Sequence, residues 1–203
     1  MANNKKFLGL GCLAVVLVGV LIVVFYATGV YNSLVGLDQK VQAQWGQVEN
    51  VYQRRADLIP NLVETVKGAA AFETNTFTAV TEARAKVGQV QINPGQLTPQ
   101  SFQQFQAAQD NLTSALSRLL VVVEKYPELK ATQNFRDLQA QLEGTENRIA
   151  QERRVFNETA QAFNTKRMKF PTVLIAGLFG ERFKEKPFFK AQAGSETAPK
   201  VKF

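Results

Sequence analysis

Histidine is absent from this 203-residue chain, and cysteine occurs once. A structural zinc site, a zinc hydrolase, a Ser-His-Asp triad and a CxxC redox pair therefore lack their ligands or bases. The sequence holds no G-x-G-x-x-G, G-x-x-x-x-G-K-[ST] or G-x-S-x-G motif, which removes the usual phosphate loops and the nucleophile elbow. Apolar and polar residues do not alternate with period two over a useful length, so sheets are not expected either. These absences point away from an enzyme, and no cofactor or metal is expected.

What the chain does have is a long apolar run. Phe7 to Thr28 is uncharged and almost wholly apolar. At ~1.5 Å per residue it is long enough to cross a hydrocarbon core of ~30 Å. A cleaved signal peptide has a shorter core ending in a small-x-small site; here the run passes through Phe25 and Tyr26 directly into an amphipathic pattern, as an uncleaved signal anchor does. Gly9 to Cys12 admit a lipoprotein reading, but the apolar stretch follows the cysteine instead of preceding it, so Cys12 reads as an apolar residue in lipid. Lys5 and Lys6 precede the span, and the positive-inside rule places residues 1–6 in the cytoplasm and the remainder outside.

Beyond the span the pattern is helical throughout. Leu34, Leu37, Val41, Val48 and Val51 begin a stripe, with Trp45 and Tyr52 on its margin, that continues through Leu58, Leu62, Val66, Phe77 and Val80 to Val87. This predicts one very long helix. Pro60 cannot donate to the carbonyl of Ala56 and should kink or break it, with Gly68 a further soft point. Gly88 and Asn93-Pro94-Gly95 end it. Thr98-Pro99 caps a second helix carrying Phe102, Phe105, Gln109, Leu112, Leu116, Leu119 and Val123, which Pro127 stops. A third helix runs from Phe135 through Leu138, Leu142, Thr145, Ile149, Glu152, Phe156 and Phe163 to Phe170-Pro171. The expected fold is all-α: an antiparallel bundle of three long helices and a short C-terminal helix, over residues 31–190, on a single N-terminal transmembrane helix at 7–28. Residues 191–203 read as a disordered tail.

Two candidate interaction regions follow. If the first helix turns near Gly88, the second descends only to about the level of Pro60, leaving a stalk at residues 31–58 with an uncovered stripe of Leu34, Leu37, Val41, Trp45, Val48 and Tyr52. That stripe would self-associate into a homo-oligomer or pair with another membrane protein, unless the Pro60 kink folds it back onto the bundle. The same levels bring Glu152 near Arg84, as a pair or with Glu152 solvated. The second region is basic. Residues 31–165 carry a net charge of −1, whereas everything from Lys166 onward carries +6. There Phe170, Phe179, Phe183, Phe188 and Phe189 mingle with Arg182, Lys184 and Lys186, the makeup of a membrane-interface or partner-docking element, or of a short helix with solvated lysines over the bundle end. A straight first helix would hold this tail far from its own bilayer.

Smaller constellations carry less. Arg54 with Asp57 is a local surface pair. Glu143 and Glu146 lack the facing Glu-x-x-His element of a di-metal bundle. Asn111-Leu112-Thr113 and Asn157-Glu158-Thr159 match a glycan acceptor pattern but fall on helices. Nucleic acid is a poor partner, because the bundle is expected outside the cytoplasm and its aromatics read as core.

The blocks YNSLVGLDQKV, RRADLIPNLVETVKG, TEARAKV and NTKRMKFPTVLIAGLFG, followed by FF, resemble the LemA family of bacterial membrane proteins over about Phe7 to Lys190. The chain departs from that pattern after Gly180, where Glu181 stands in place of an aromatic. The resemblance implies long α-helices on one membrane span, with no established enzymatic activity and no catalytic residues to carry over. A related member in magnetotactic bacteria is tied to organelle membrane formation. The expected function is a non-enzymatic membrane-anchored scaffold or adaptor of the cell envelope, working by self-assembly and recruitment of other envelope proteins. The alternative is an outward-facing sensory or ligand-binding bundle with a separate signalling partner.

Overall fold

The structure, a computed structural model, describes residues 2–68 and 74–190, with side-chain environments from Leu13 onward. Among the described residues it is all-α. The helices are α1 (Ala2–Lys67), α2 (Thr74–Gln89), α3 (Pro99–Val123), α4 (Pro127–Lys130), α5 (Gln133–Met168) and α6 (Thr172–Leu178). The expected tail at 191–203 lies outside the described residues. Among the described residues, the region expected as one bundle divides into two compact units, residues 2–40 with 161–185 and residues 41–160 with 186–190.

In the first unit, α1 contains a segment long and apolar enough to cross a membrane. Its large side chains from Leu13 to Tyr26 are 48–77% exposed, an unaffordable surface in water and an ordinary one in lipid. Immediately beyond, Val30 and Leu34 become buried, as do Phe163 of α5, Ala176 of α6 and Phe183.

In the second unit α1 passes through Pro60 without ending. The carbonyl that proline leaves without its helical donor, that of Ala56, accepts instead from Arg84 Nε of α2 at 2.9 Å. The helix stops at Gly68, whose N–H still reaches Glu64 O. The first long helix is thus two helices. α2 packs on α3, and Val80 and Ala83 join Ile59, Leu62, Val66, Leu112, Leu119 and Phe135 in one core. Thr98 caps α3 reciprocally with Ser101, beside Pro99, as its sequence indicates.

Register shows how the stripe on α1 is covered. Trp45 meets Phe102 and Phe105, Arg55 meets Gln109 and Thr113, and Ile59 to Val66 share a core with Leu112 to Val123, so α3 runs parallel to this part of α1. α5 runs antiparallel to it, with Glu146 at Arg55, Glu152 at Gln44 and Phe156 at Trp45. The chain reverses after Gly68 and again past Gly88, and α3 therefore starts beside Trp45 instead of ending beside Pro60. This overturns the expected bare stalk. Leu34 in the first unit, and Val41, Trp45, Val48 and Tyr52 in the second, are buried within the chain, and Leu37 is half-buried. The five buried residues form core and not a free face for self-association. The same register separates the expected Glu152–Arg84 pair: Glu152 accepts from Gln44 at 2.6 Å, and Arg84 serves Ala56.

Candidate functional site

The apolar and basic C-terminal segment splits between the two units. In the first, Tyr31 packs against Phe179 at 4.9 Å and Phe183 at 5.5 Å between ring centroids. Arg182 stacks over the same tyrosine at 5.7 Å. Arg167 Nε donates to the Phe183 carbonyl and fixes the turn that follows α6. Tyr31 stands just past the apolar run that ends at Thr28, so α6 lies beside the point where α1 leaves its apolar stretch. The expectation that the whole tail lies far from the apolar run does not hold for residues 179–183, which pack on Tyr31. The reason is the length of α5, which carries the chain back to Met168. Around α6 the side chains face outward: Phe170, Leu174, Leu178 and Met168 are largely exposed, and Val173 and Phe179 are partly so.

In the second unit, residues 187–190 form a strap without regular secondary structure. The Asn157 side chain of α5 grips Phe189 twice, donating from Nδ2 to its carbonyl at 3.0 Å and accepting its N–H at Oδ1 at 2.8 Å. Arg153 and Gln106 both donate to the Lys190 carbonyl, at 2.8 and 3.1 Å, and the Arg153 guanidinium covers the Phe189 ring at 4.7 Å. The ring itself sits in an aromatic cluster with Trp45, Phe102 and Phe156. Asn157, half of a glycan-like motif in the sequence, is a backbone clamp.

Of the eight residues expected to form a docking tail, Phe170, Phe179, Arg182, Lys184 and Phe188 are exposed. Phe183, Lys186 and Phe189 are buried. Those three are withdrawn from the exposed surface, Phe183 and Phe189 into the ring packing of their own units.

One buried charge crosses the second unit. Arg55, 2% exposed, donates from Nη1 to Thr113 Oγ1 at 3.0 Å and to Glu146 Oε2 at 3.1 Å, and from Nη2 to the Gln109 side chain. Its guanidinium also stacks on Tyr52 at 5.1 Å. This joins α1, α3 and α5 through directional bonds, which a purely apolar seam does not do. Arg54 and Asp57 do not pair; Asp57 accepts from Gln53. Glu143 and Glu146 go to separate partners, Gln139 and Arg55.

Beside this seam α1, α2, α3 and the 90–92 segment enclose a cleft of about 550 Å³, lined by Glu49, Tyr52, Arg84, Ile92, Phe105 and Gln109 among others. Burial pushes the Glu49 carboxyl above its usual 4.5. The Trp45 indole Nε1 makes no hydrogen bond of good geometry, yet lies near enough to Glu49 to offset part of that rise. Burial likewise raises the Tyr52 phenol above 10.0, with the positive charges of Arg153 and Arg55 opposing it. The cleft thus offers a carboxyl, a guanidinium, a phenol and the amides of Asn50, Gln53, Gln91 and Gln109, groups suited to binding.

A family model described as the LemA family matches residues 44–203. Magnetosome protein MamQ 2 and Magnetosome protein MamQ 1 of Paramagnetospirillum magneticum are each 29% identical over 189 residues, covering 82% of this chain and 70% of the relative. Protein LemA of Metamycoplasma hominis is 23% identical over 152 residues, covering 75% of this chain and 66% of that protein.

Proposed function

Because the chain belongs to the LemA family and is a membrane-associated helical protein, we propose that it acts as a non-enzymatic scaffold or adaptor rooted in the bacterial inner membrane. In this reading its first residues face the cytoplasm and the second unit faces outward, where it recruits other envelope proteins and associates with further copies of itself. The supporting observation is α1, a single helix from Ala2 to Lys67 that carries an apolar span at one end and supplies core residues such as Trp45 and Leu62 at the other. A helix with both roles ties a folded body to the bilayer without a flexible linker. The magnetosome relatives, named for a membrane organelle, lend support to a role in organising membranes.

The test is photocrosslinking in intact membranes from exposed positions of the second unit, such as Val121 and Arg118, combined with labelling by an impermeant thiol reagent at the same sites. Discrete adducts and labelling from outside are expected. Absence of any self or partner adduct across the exposed faces overturns the scaffold reading, and labelling only after permeabilisation overturns the orientation.

A second reading draws on the cleft at Glu49, Tyr52 and Arg84, whose mixed lining suits a small polar ligand. Under it the bundle is a ligand sensor that signals through a separate partner. A ligand raising the unfolding midpoint, with the rise lost in Arg84→Met, favours this reading over the scaffold.

A further inference from the structure

We infer that the α6 region, residues 168–184, is a second membrane attachment, lying in the headgroup layer of the bilayer that α1 crosses and preferring anionic lipid. The inference rests on the reading of α1 as a span and adds a site which that reading does not supply.

Position comes first. Tyr31 lies three residues beyond Thr28, or ~4.5 Å along the helix. The headgroup zone on each side of the hydrocarbon core is about 5–7 Å deep. Phe179, Phe183 and Arg182 all touch Tyr31, so this turn of the chain sits at headgroup level by direct contact with the emerging helix.

Composition and exposure come second. Phe170 is 80% exposed, Leu178 82% and Leu174 61%, a cluster of large apolar side chains that soluble surfaces seldom present together. α6 is too short to span and reads as an interfacial element. Its flanks hold Lys166, Arg167, Lys169, Arg182 and Lys184 against Glu181 and Glu185, and Glu181 is paired with Lys184 at 2.6 Å. Long basic side chains around an apolar tip place their stems in the interface and their charges among phosphates. Another protein covering this patch would have to approach within the headgroup layer; lipid is already there.

The test uses the full chain in lipid nanodiscs, in a Cys12→Ser background, with an environment-sensitive fluorophore on Leu174→Cys, Val18→Cys or Val121→Cys and quenchers placed on lipids at headgroup or mid-chain depth. Headgroup-level quenchers are expected to dim the Leu174 label severalfold more than the Val121 label, and mid-chain quenchers to dim the Val18 label most. In phosphatidylglycerol discs, Lys169→Glu and Lys184→Glu should each weaken docking by about fivefold, with little effect in phosphatidylcholine. If the Val18 label is quenched and the Leu174 label behaves as Val121 does, the second attachment is wrong and the anchor stands. If Val18 also escapes quenching, the anchor itself is wrong. A Leu174 label shielded from water but indifferent to quencher lipid and crosslinking to a second chain overturns the lipid assignment in favour of a protein partner.

Discussion

Arg84 and Pro60 should be energetically coupled through the Ala56 carbonyl. Pro60 removes the N–H that would bond to Ala56 O, and Arg84 Nε supplies the replacement at 2.9 Å. Ala56 is buried, so water is a poor substitute. Arg84→Met keeps most of the apolar stem and deletes the donor. A hydrogen bond with a charged partner contributes ~1.5–3 kcal/mol net, and a stranded buried carbonyl costs ~1–3 kcal/mol, so a loss of about 2 kcal/mol is expected. For a chain of this length that is about 4–8 °C in the unfolding midpoint. In Pro60→Ala the helix again supplies its own N–H, and Arg84→Met should then cost less than about 1 kcal/mol. The assay is thermal unfolding of the full chain in micelles followed by Trp45, the one tryptophan in the sequence, whose buried environment makes its fluorescence specific to the second unit. Equal costs of Arg84→Met in both backgrounds refute the reasoning, because the arginine would then be acting through packing and not through the carbonyl.

Three further outcomes follow from the same packing. Phe156→Ala, at a fully buried position between Trp45 and Phe102, should destabilise by about 3–5 kcal/mol, and Phe156→Leu by less than about 1.5 kcal/mol, read by the same fluorescence. Asn157→Ala removes both bonds to Phe189 and should speed amide hydrogen exchange and proteolysis at residues 186–190 with little change at α2. Glu49 has a raised folded pKa, so the native state holds its proton more tightly than the unfolded chain: the contribution is fully present below about 4.5 and is lost as pH rises through the folded value. Glu49→Gln should therefore raise the midpoint at pH 7 and leave it unchanged near pH 4; the same gain at both pH values would assign the effect to packing.

How much of this could be read from the sequence depended on whether local chemistry or distant register decided the matter. Thr98-Pro99 and Pro127 mark helix boundaries by rules that act within one turn, and α3 begins at Pro99 as expected. The helical stripe from Leu34 to Val87 was misleading, because hydrophobic phase carries across the gap after Gly68 without recording that the chain has reversed. From that missed reversal came the bare stalk and the Glu152–Arg84 pair. Arg55 was within reach: it lies three residues after Tyr52 and four before Ile59, on the apolar face of α1, where an arginine needs partners. Asn157 was not, since its role exists only once Phe189 has arrived beside it.

The strap has a consequence for biosynthesis. Trp45 emerges from the ribosome early, and its ring neighbours follow from α3 and α5, but the cluster stays open on one side until residue 189 has been made. Every nascent chain therefore passes through a stage in which Trp45, Phe102 and Phe156 have been made but lack the ring that completes their cluster, and a chain halted short of Phe189 never closes it.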